Sequence, residues 1–204
     1  MKRGKFIVLC GGEGSGKSTV IKEIKKRYPD LVTTREPGGS PYAENIRNLM
    51  FKDPLGKEAT PAAMLLLFWA ARVEHIAKLI NPALDDGKNV LSDRFDCCTY
   101  AYQLHGQQSL PLSDFFWTTR YYFMEDCRPD LYIFLDVDVC TGLSRVNSRN
   151  GEVNHFDEKD VSFHQRIREG YINFSVRVND KFVRVDANQP LDNVIADVIS
   201  VMGI

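Results

Sequence analysis

Short apolar runs alternate along this chain with longer stretches in which apolar residues recur every three or four positions. Residues 6–10 are an apolar run ended by glycines, and 17–27 follow with helical spacing. Residues 31–34 are rich in β-formers, and 41–51 return to the helical period. Thr60 and Pro61 have the form of a helix start, N-cap followed by proline at the first helical position. That helix is expected to run to Asp86, interrupted or kinked at Pro82. Residues 90–91 read as a brief buried strand, with helical segments after it to about Cys127. A strong strand at 131–137, a helical stretch at 142–148, a last strand at 181–185 and a terminal helix complete the pattern. Strands separated by helices build βαβ units, so the expected fold is α/β, a parallel sheet of about five strands flanked by helices on both faces.

No repeat, low-complexity tract or linker divides residues 1–204, which read as a single domain. The one polar, weakly patterned stretch, 147–160, is a candidate mobile loop. A net charge of −1 argues against a general nucleic-acid binder or a polybasic membrane anchor, but leaves room for a local basic cleft. No run approaches the ~18 apolar residues that span a bilayer. The first apolar run is too short for a signal peptide. Cys10, Cys97, Cys98, Cys127 and Cys140 have no metal-ligand spacing and no C-x-x-C pair, as expected of reduced thiols in a cytoplasmic protein.

Gly11-Gly12-Glu13-Gly14-Ser15-Gly16-Lys17-Ser18 matches G-x-x-x-x-G-K-[ST], between a strand and an amphipathic helix. Glycines let backbone N–H groups wrap a phosphate at a helix N-terminus whose dipole favours anions. Lys17 can reach the β- and γ-phosphates, and the Ser18 hydroxyl can ligate Mg²⁺. ATP or GTP binding follows, but the acceptor does not.

Phe68 and Arg72 are four apart on one helical face, and Thr99 and Gln103 form a second such pair. A ring beside a guanidinium suits a flat base, and a Gln amide can both donate and accept. On patterning alone Phe68 could equally be core and Arg72 a solvated charge. Asp93 and Arg94 follow a buried strand, where ligands of such sheets bind. Read alone, they could be a helix cap and a surface ion-pair partner. Taken together, Thr34-Arg35-Glu36-Pro37-Gly38-Gly39, Phe68-Trp69-Ala70-Ala71-Arg72, Asp93-Arg94-Phe95, Ala101-Tyr102-Gln103 and Arg128-Pro129-Asp130 resemble, in order and spacing, the motif set of thymidylate kinases.

The resemblance implies a P-loop kinase that moves the γ-phosphoryl of ATP to dTMP with Mg²⁺, as a homodimer. It implies that Gly11, Gly12, Glu13, Gly14, Ser15, Gly16, Lys17, Ser18 and Thr19 hold ATP, with Arg145 nearer the adenine. Phe68 would stack on thymine, Arg72 meet a base carbonyl, Gln103 read the base edge beside Thr99, and Tyr102 lie near the sugar. Glu13 would accept from the 3′-hydroxyl of dTMP. Arg94 would clamp the acceptor phosphate, with Arg35, Glu36, Pro37 and Arg47 as further nucleotide contacts. Asp93, with Ser18, would support the metal. Gly14 beside Glu13 resembles the subclass with lid arginines. This makes 147–160 the lid and Arg149 its catalytic cation beside Lys17, Asp93 and Arg94. His155 stands where a second lid arginine is usual, and Cys98 where the family usually has Ser. His75 and His105 have no role in this reading. The acceptor is already a monoester whose second pKa is about 6, so transfer needs positioning and charge neutralisation rather than a general base. Another pyrimidine monophosphate such as dUMP, or a P-loop nucleotide switch, is the alternative.

Overall fold

A computed structural model describes residues 2–148, 156 and 159–204. Arg149, His155 and most of the expected lid lie outside the described residues. The strands β1 (Phe6–Gly11), β2 (Val32–Arg35), β3 (Val90–Asp93), β4 (Leu131–Asp136) and β5 (Phe182–Asp186) form one parallel sheet in the order β2-β3-β1-β4-β5. The expected fold class is therefore observed.

Alternation along the central strands divides the core between two faces. Phe6, Val8 and Cys10 of β1, with Tyr132 and Phe134 of β4, join one apolar cluster. Ile7 and Leu9, with Leu131, Ile133 and Leu135, join the other. Successive strand residues point to opposite faces, and a sheet buried on both therefore needs continuous apolar runs. The second cluster is covered by α1 (Lys17–Arg27) and α9 (Leu191–Met202) through Val20, Ile24, Val194 and Val198.

The next two helices start on side-chain caps, of which Thr60 was expected. Ser40 Oγ accepts from the Ala43 amide to start α2 (Pro41–Phe51), and Thr60 Oγ1 accepts from the Ala63 amide to start α3 (Pro61–His75). Beyond His75 the chain widens into a π-helical turn, Ile76–Ile80, and continues as α4 (Asn81–Asp85). The expected interruption thus falls one turn before Pro82. A proline ring crowds the carbonyl four residues back, and the wider turn accommodates it without ending the helix. A second π-helical segment, Tyr100–Gly106, follows α5 (Asp96–Thr99) and precedes α6 (Ser113–Met124). α7 (Val139–Ser148) follows β4, and α8 (Val161–Arg177) follows the lid stretch. α8 is absent from the sequence reading, although Asp160 caps it by accepting from the Phe163 amide at 2.7 Å. Its buried Phe163, Ile167, Gly170, Tyr171 and Phe174 also keep helical spacing.

A buried ionic knot ties α5, α6 and β4 together. Arg120 Nε donates to Asp96 Oδ2 at 2.7 Å and the Tyr132 hydroxyl to Asp96 Oδ1 at 2.8 Å, while Arg120 also pairs with Asp180. Asp96 is inaccessible to solvent, so removing it leaves the buried Arg120 guanidinium with Asp180 as its remaining carboxylate and Tyr132 without its acceptor. Asp96→Ala is expected to lower the urea-unfolding free energy by about 3 kcal/mol. A loss under about 1 kcal/mol would show the knot to be dispensable.

Candidate active site

The register of the sheet brings the chemistry to one edge. Arg35 pairs with Asp93, Leu9 with Asp93, and Gly11 with Leu135, so β1, β2, β3 and β4 all present their carboxyl ends at the same rim. The glycine-rich turn leaves β1 there and enters α1 through Gly16, whose φ of 87° is left-handed and favours glycine. Gly16 offers no side-chain cap, which leaves the first amides of α1 available to an anion. The turn is seated closely: a Cβ on Gly14 (φ 68°) would lie 2.0 Å from the Gly142 carbonyl oxygen of α7.

Lys17 is buried and folded back along the turn, donating to the Gly11 carbonyl at 3.0 Å, the Gly12 carbonyl at 2.9 Å and Ser15 Oγ at 3.2 Å. Burial, with Arg94 nearby, pulls its ammonium below the ordinary value, against the attraction of Glu13 and Asp93. Ser18 and Thr19 are exposed on the first turn of α1. Arg145 of α7 donates to the Ala187 carbonyl at 2.9 Å and the Gly14 carbonyl at 3.4 Å, placing it beside the turn.

Glu13 reaches across to the next strand. Its Oε1 accepts from Arg94 Nη2 at 3.0 Å and from the Tyr102 hydroxyl at 2.8 Å, and the Arg94 guanidinium lies 5.0 Å from the Tyr102 ring centre. Burial would raise the Glu13 carboxyl, but Arg94, Lys17 and the Tyr102 hydrogen bond outweigh it and hold it at about 2. Arg94 has a φ of 70°, rare for a residue with a side chain, and is fixed by its amide to the Leu9 carbonyl at 3.0 Å and by the Ser92 hydroxyl to its own carbonyl at 2.7 Å. Backbone strain of this kind costs of order 1–3 kcal/mol and concentrates at functional sites.

The remaining predicted residues fall into two groups. Arg47 donates to the Pro37 carbonyl at 2.8 Å and lies over Phe51. Burial and the charges of Arg35 and Arg94 pull it below its ordinary value, so three guanidinium groups converge on this rim. Arg35 itself is more exposed and pairs with Glu44 at 3.1 Å. Deeper in, Arg72 is fully buried, sandwiched 4.5 Å from Trp69 and 5.3 Å from Phe95. Its Nε donates to Glu36 Oε2 at 2.9 Å and its Nη2 to Thr99 Oγ1 at 2.8 Å. Arg72 Nη1 and both amide atoms of Gln103 are buried without a hydrogen-bond partner. Phe68 borders α2 through an edge contact with Phe51, and the Glu36–Pro37 peptide is cis.

Asp93 and Ser18 are hard oxygen donors at the mouth of the turn, and Asp93 Oδ1 is buried without a hydrogen-bond partner. That set fits a magnesium ion shared with phosphates rather than a cage built by protein alone. Among the described residues, no group of three or more His, Cys, Asp or Glu could hold a metal ion.

Several site residues were not read from the sequence. Asp136 ends β4 and is gripped by Arg168 of α8, whose Nε donates to Oδ1 at 2.6 Å and Nη2 to Oδ2 at 3.0 Å, with Arg184 also pairing with Oδ2. Asp136, Arg168, Gly12 and Glu13 line one small cavity, of about 20 Å³. The carboxylate at the end of the LYIFLDV strand was a usable signal for Asp136. Tyr171 donates to the Gly11 carbonyl at 3.2 Å and also reaches Cys98 Sγ at 3.1 Å. Nothing local in sequence announces Tyr171, because helix packing alone brings it to the turn. Burial pushes the Cys98 thiol well up, so it serves this contact as a neutral group.

A parallel α/β sheet whose central strand ends in a glycine-rich phosphate-binding motif, faced by converging arginines and buried polar side chains, defines a P-loop nucleotide phosphotransferase. The family model for thymidylate kinase matches residues 10–198. A thymidylate kinase of Bacillus cereus is 38% identical over 206 residues, covering 98% of this chain and 97% of that protein. One from Leuconostoc mesenteroides is 41% identical over 199 residues, covering 94% and 92%. The chain belongs to the thymidylate kinase family, and it is an ATP-dependent nucleoside monophosphate kinase.

The depressed Glu13 carboxyl makes a pH prediction. A group whose pKa falls on folding stabilises the folded state above its unfolded value of 4.5, and this contribution is lost as pH falls toward about 2. Glu13→Gln should therefore cost roughly 3 kcal/mol at pH 7 and progressively less between pH 5 and pH 3, measured by urea unfolding. A gap between the two proteins that stays constant with pH would show that Glu13 is not held ionised by the fold.

Proposed function

We propose that the chain catalyses transfer of the γ-phosphoryl of ATP to dTMP, giving dTDP and ADP, and that the rim just described performs it. The unpartnered polar atoms of Arg72 and Gln103 carry this reading. One buried guanidinium nitrogen and a whole buried amide need partners there, and unpaired buried polar groups are costly. A pyrimidine with adjacent carbonyl and N–H groups answers both, with Phe68 against its face. Thr99 fixes the guanidinium, and Glu36 supplies its counter-charge.

Arg94, Arg47 and Arg35 then surround the acceptor phosphate, while Tyr102 and Glu13 stand where the sugar meets the cradle. The Gly11–Ser18 amides and Lys17 hold the donor phosphates, and Arg145 sits on the adenine side. Mg²⁺ held by Ser18 and Asp93 would neutralise charge between the nucleotide phosphates. Arg94 and Lys17 confront charge that builds during transfer, and Arg149, outside the described residues, is assigned the same task from the lid. The dianionic acceptor attacks without a base.

We further assign a homodimer and a cytoplasmic setting. Tyr42 and Leu49 of α2, Leu66 of α3, and Phe115, Tyr122 and Phe123 of α6 are exposed apolar side chains that a second copy would cover. Five free cysteines suit a reducing compartment. No helix among the described residues is long and apolar enough to cross a membrane.

An assay of ADP release over a panel of nucleoside monophosphates tests the reading. dTMP should be the preferred acceptor, and preference for dUMP or hydrolysis without acceptor would contradict it. Phe68→Ala should raise KM for dTMP by about tenfold with KM for ATP nearly unchanged, since stacking on one base is worth about 1–3 kcal/mol. Lys17→Ala should lower kcat by at least about a hundredfold with its thermal midpoint retained. An ATP-side loss on Phe68→Ala would remove Phe68 from the base pocket.

A further inference from the structure

We infer that His75 is a positioning residue for acceptor binding, its imidazole fixing the Glu36 carboxylate that in turn aims the Arg72 guanidinium. The inference rests on the reading that Arg72 meets the base.

His75 ends α3, three residues beyond Arg72 and so on the same helical face, and it is fully buried. Its Nε2 lies 2.8 Å from Thr34 Oγ1, and its Nδ1 lies 3.5 Å from Glu36 Oε1. Neither His75 Nδ1 nor Glu36 Oε1 has a hydrogen-bond partner, yet both are buried. Each is thus the other's nearest remedy, and closing a few tenths of an ångström makes the bond. A carboxylate offers acceptors only, so the bond to Glu36 places the ring's N–H at Nδ1 and leaves Nε2 to the Thr34 hydroxyl.

The other Glu36 oxygen is already committed. Oε2 accepts from Arg72 Nε at 2.9 Å and stands 2.8 Å from Nη2, while Nη2 also donates to Thr99. The result is one relay of fixed orientation, Thr34 to His75 to Glu36 to Arg72 to Thr99, with Arg72 Nη1 left for the ligand. The loop between β2 and α2 is also wrapped on the ring itself. A Cβ on Gly39 would fall 2.3 Å from His75 Nε2, so loop backbone and imidazole are in direct contact. Thr34, Glu36 and Gly39 therefore all rest on this one side chain. The contacts of His75 with Thr34, Glu36 and Gly39 all lie on the segment from β2 to α2, so its loss should fall on the acceptor and spare the donor.

Replacing His75 by the two amides separates orientation from bulk. Asn places its N–H near the Nδ1 position and keeps the donation to Glu36, whereas Gln reaches toward Nε2 and Thr34 instead. Steady-state kinetics should show KM for dTMP raised about tenfold in His75→Ala and His75→Gln, with kcat and KM for ATP within about twofold. His75→Asn should recover to within about threefold of the parent protein. Thr34→Val, which frees the ring without removing it, should raise KM for dTMP about threefold, and it decides the matter if the His75 variants do not fold. Arg72→Ala is the control on the underlying reading. If it leaves KM for dTMP unchanged, the base-pocket assignment falls and the inference with it. If Arg72→Ala raises KM for dTMP while the His75 and Thr34 variants do not, the inference alone is overturned. His75→Asn no better than His75→Gln, or a parallel loss of kcat and ATP affinity, overturns it as well, since either would mean that the ring only fills space.

Discussion

Glu13 puts a negative charge inside a turn built to hold phosphate, and the working geometry depends on Arg94 answering it. The pair joins the end of β1 to the end of β3, and it holds the carboxyl ionised near a pKa of about 2. Arg94 meets Glu13 from a left-handed backbone that its amide anchors on the Leu9 carbonyl and the Ser92 hydroxyl anchors at the Arg94 carbonyl. Tyr102 closes the arrangement by bonding the same carboxylate oxygen from the π-helical segment beyond α5. Under the proposed function, donor cradle and acceptor pocket are in this way one electrostatic unit.

Other elements serve to keep that unit rigid. Asp136 at the end of β4 is clamped by Arg168, and Tyr171 one turn further along α8 bonds the Gly11 carbonyl. α8 thereby ties the end of β4 and the glycine turn to one helix. Deeper in the pocket, the sandwich of Arg72 between Trp69 and Phe95 fixes a cation that would otherwise be costly to bury, with Glu36 as its counter-charge.

Much of this was legible before any coordinates, and the reasons differ by residue. The strands and the glycine turn announce themselves locally: apolar runs flanked by glycines have few other uses, and the phosphate motif needs its residues contiguous. Phe68 and Arg72 could be paired by helical spacing, but only the family resemblance separated a base pocket from core and solvated charge. His75, Asp136, Arg168 and Tyr171 escaped because their roles are fixed by partners 32 to 160 residues away or by helix packing that no local pattern encodes. α8 is the exception, since Asp160 and the spacing from Phe163 to Phe174 did spell a helix. The π-helical turn ahead of Pro82 shows the limit of a strong local rule, for the helix absorbed the proline by widening rather than stopping.

The coupling of the two halves can be measured directly by a double-mutant cycle on Glu13→Gln and Arg94→Met, read as unfolding free energy at neutral pH. Residues in direct ionic contact should show a coupling of about 1–3 kcal/mol, the double variant losing less than the sum of the two singles. Effects that add to within about 0.5 kcal/mol would mean that the two charges act independently, and the view of cradle and pocket as one unit would be wrong.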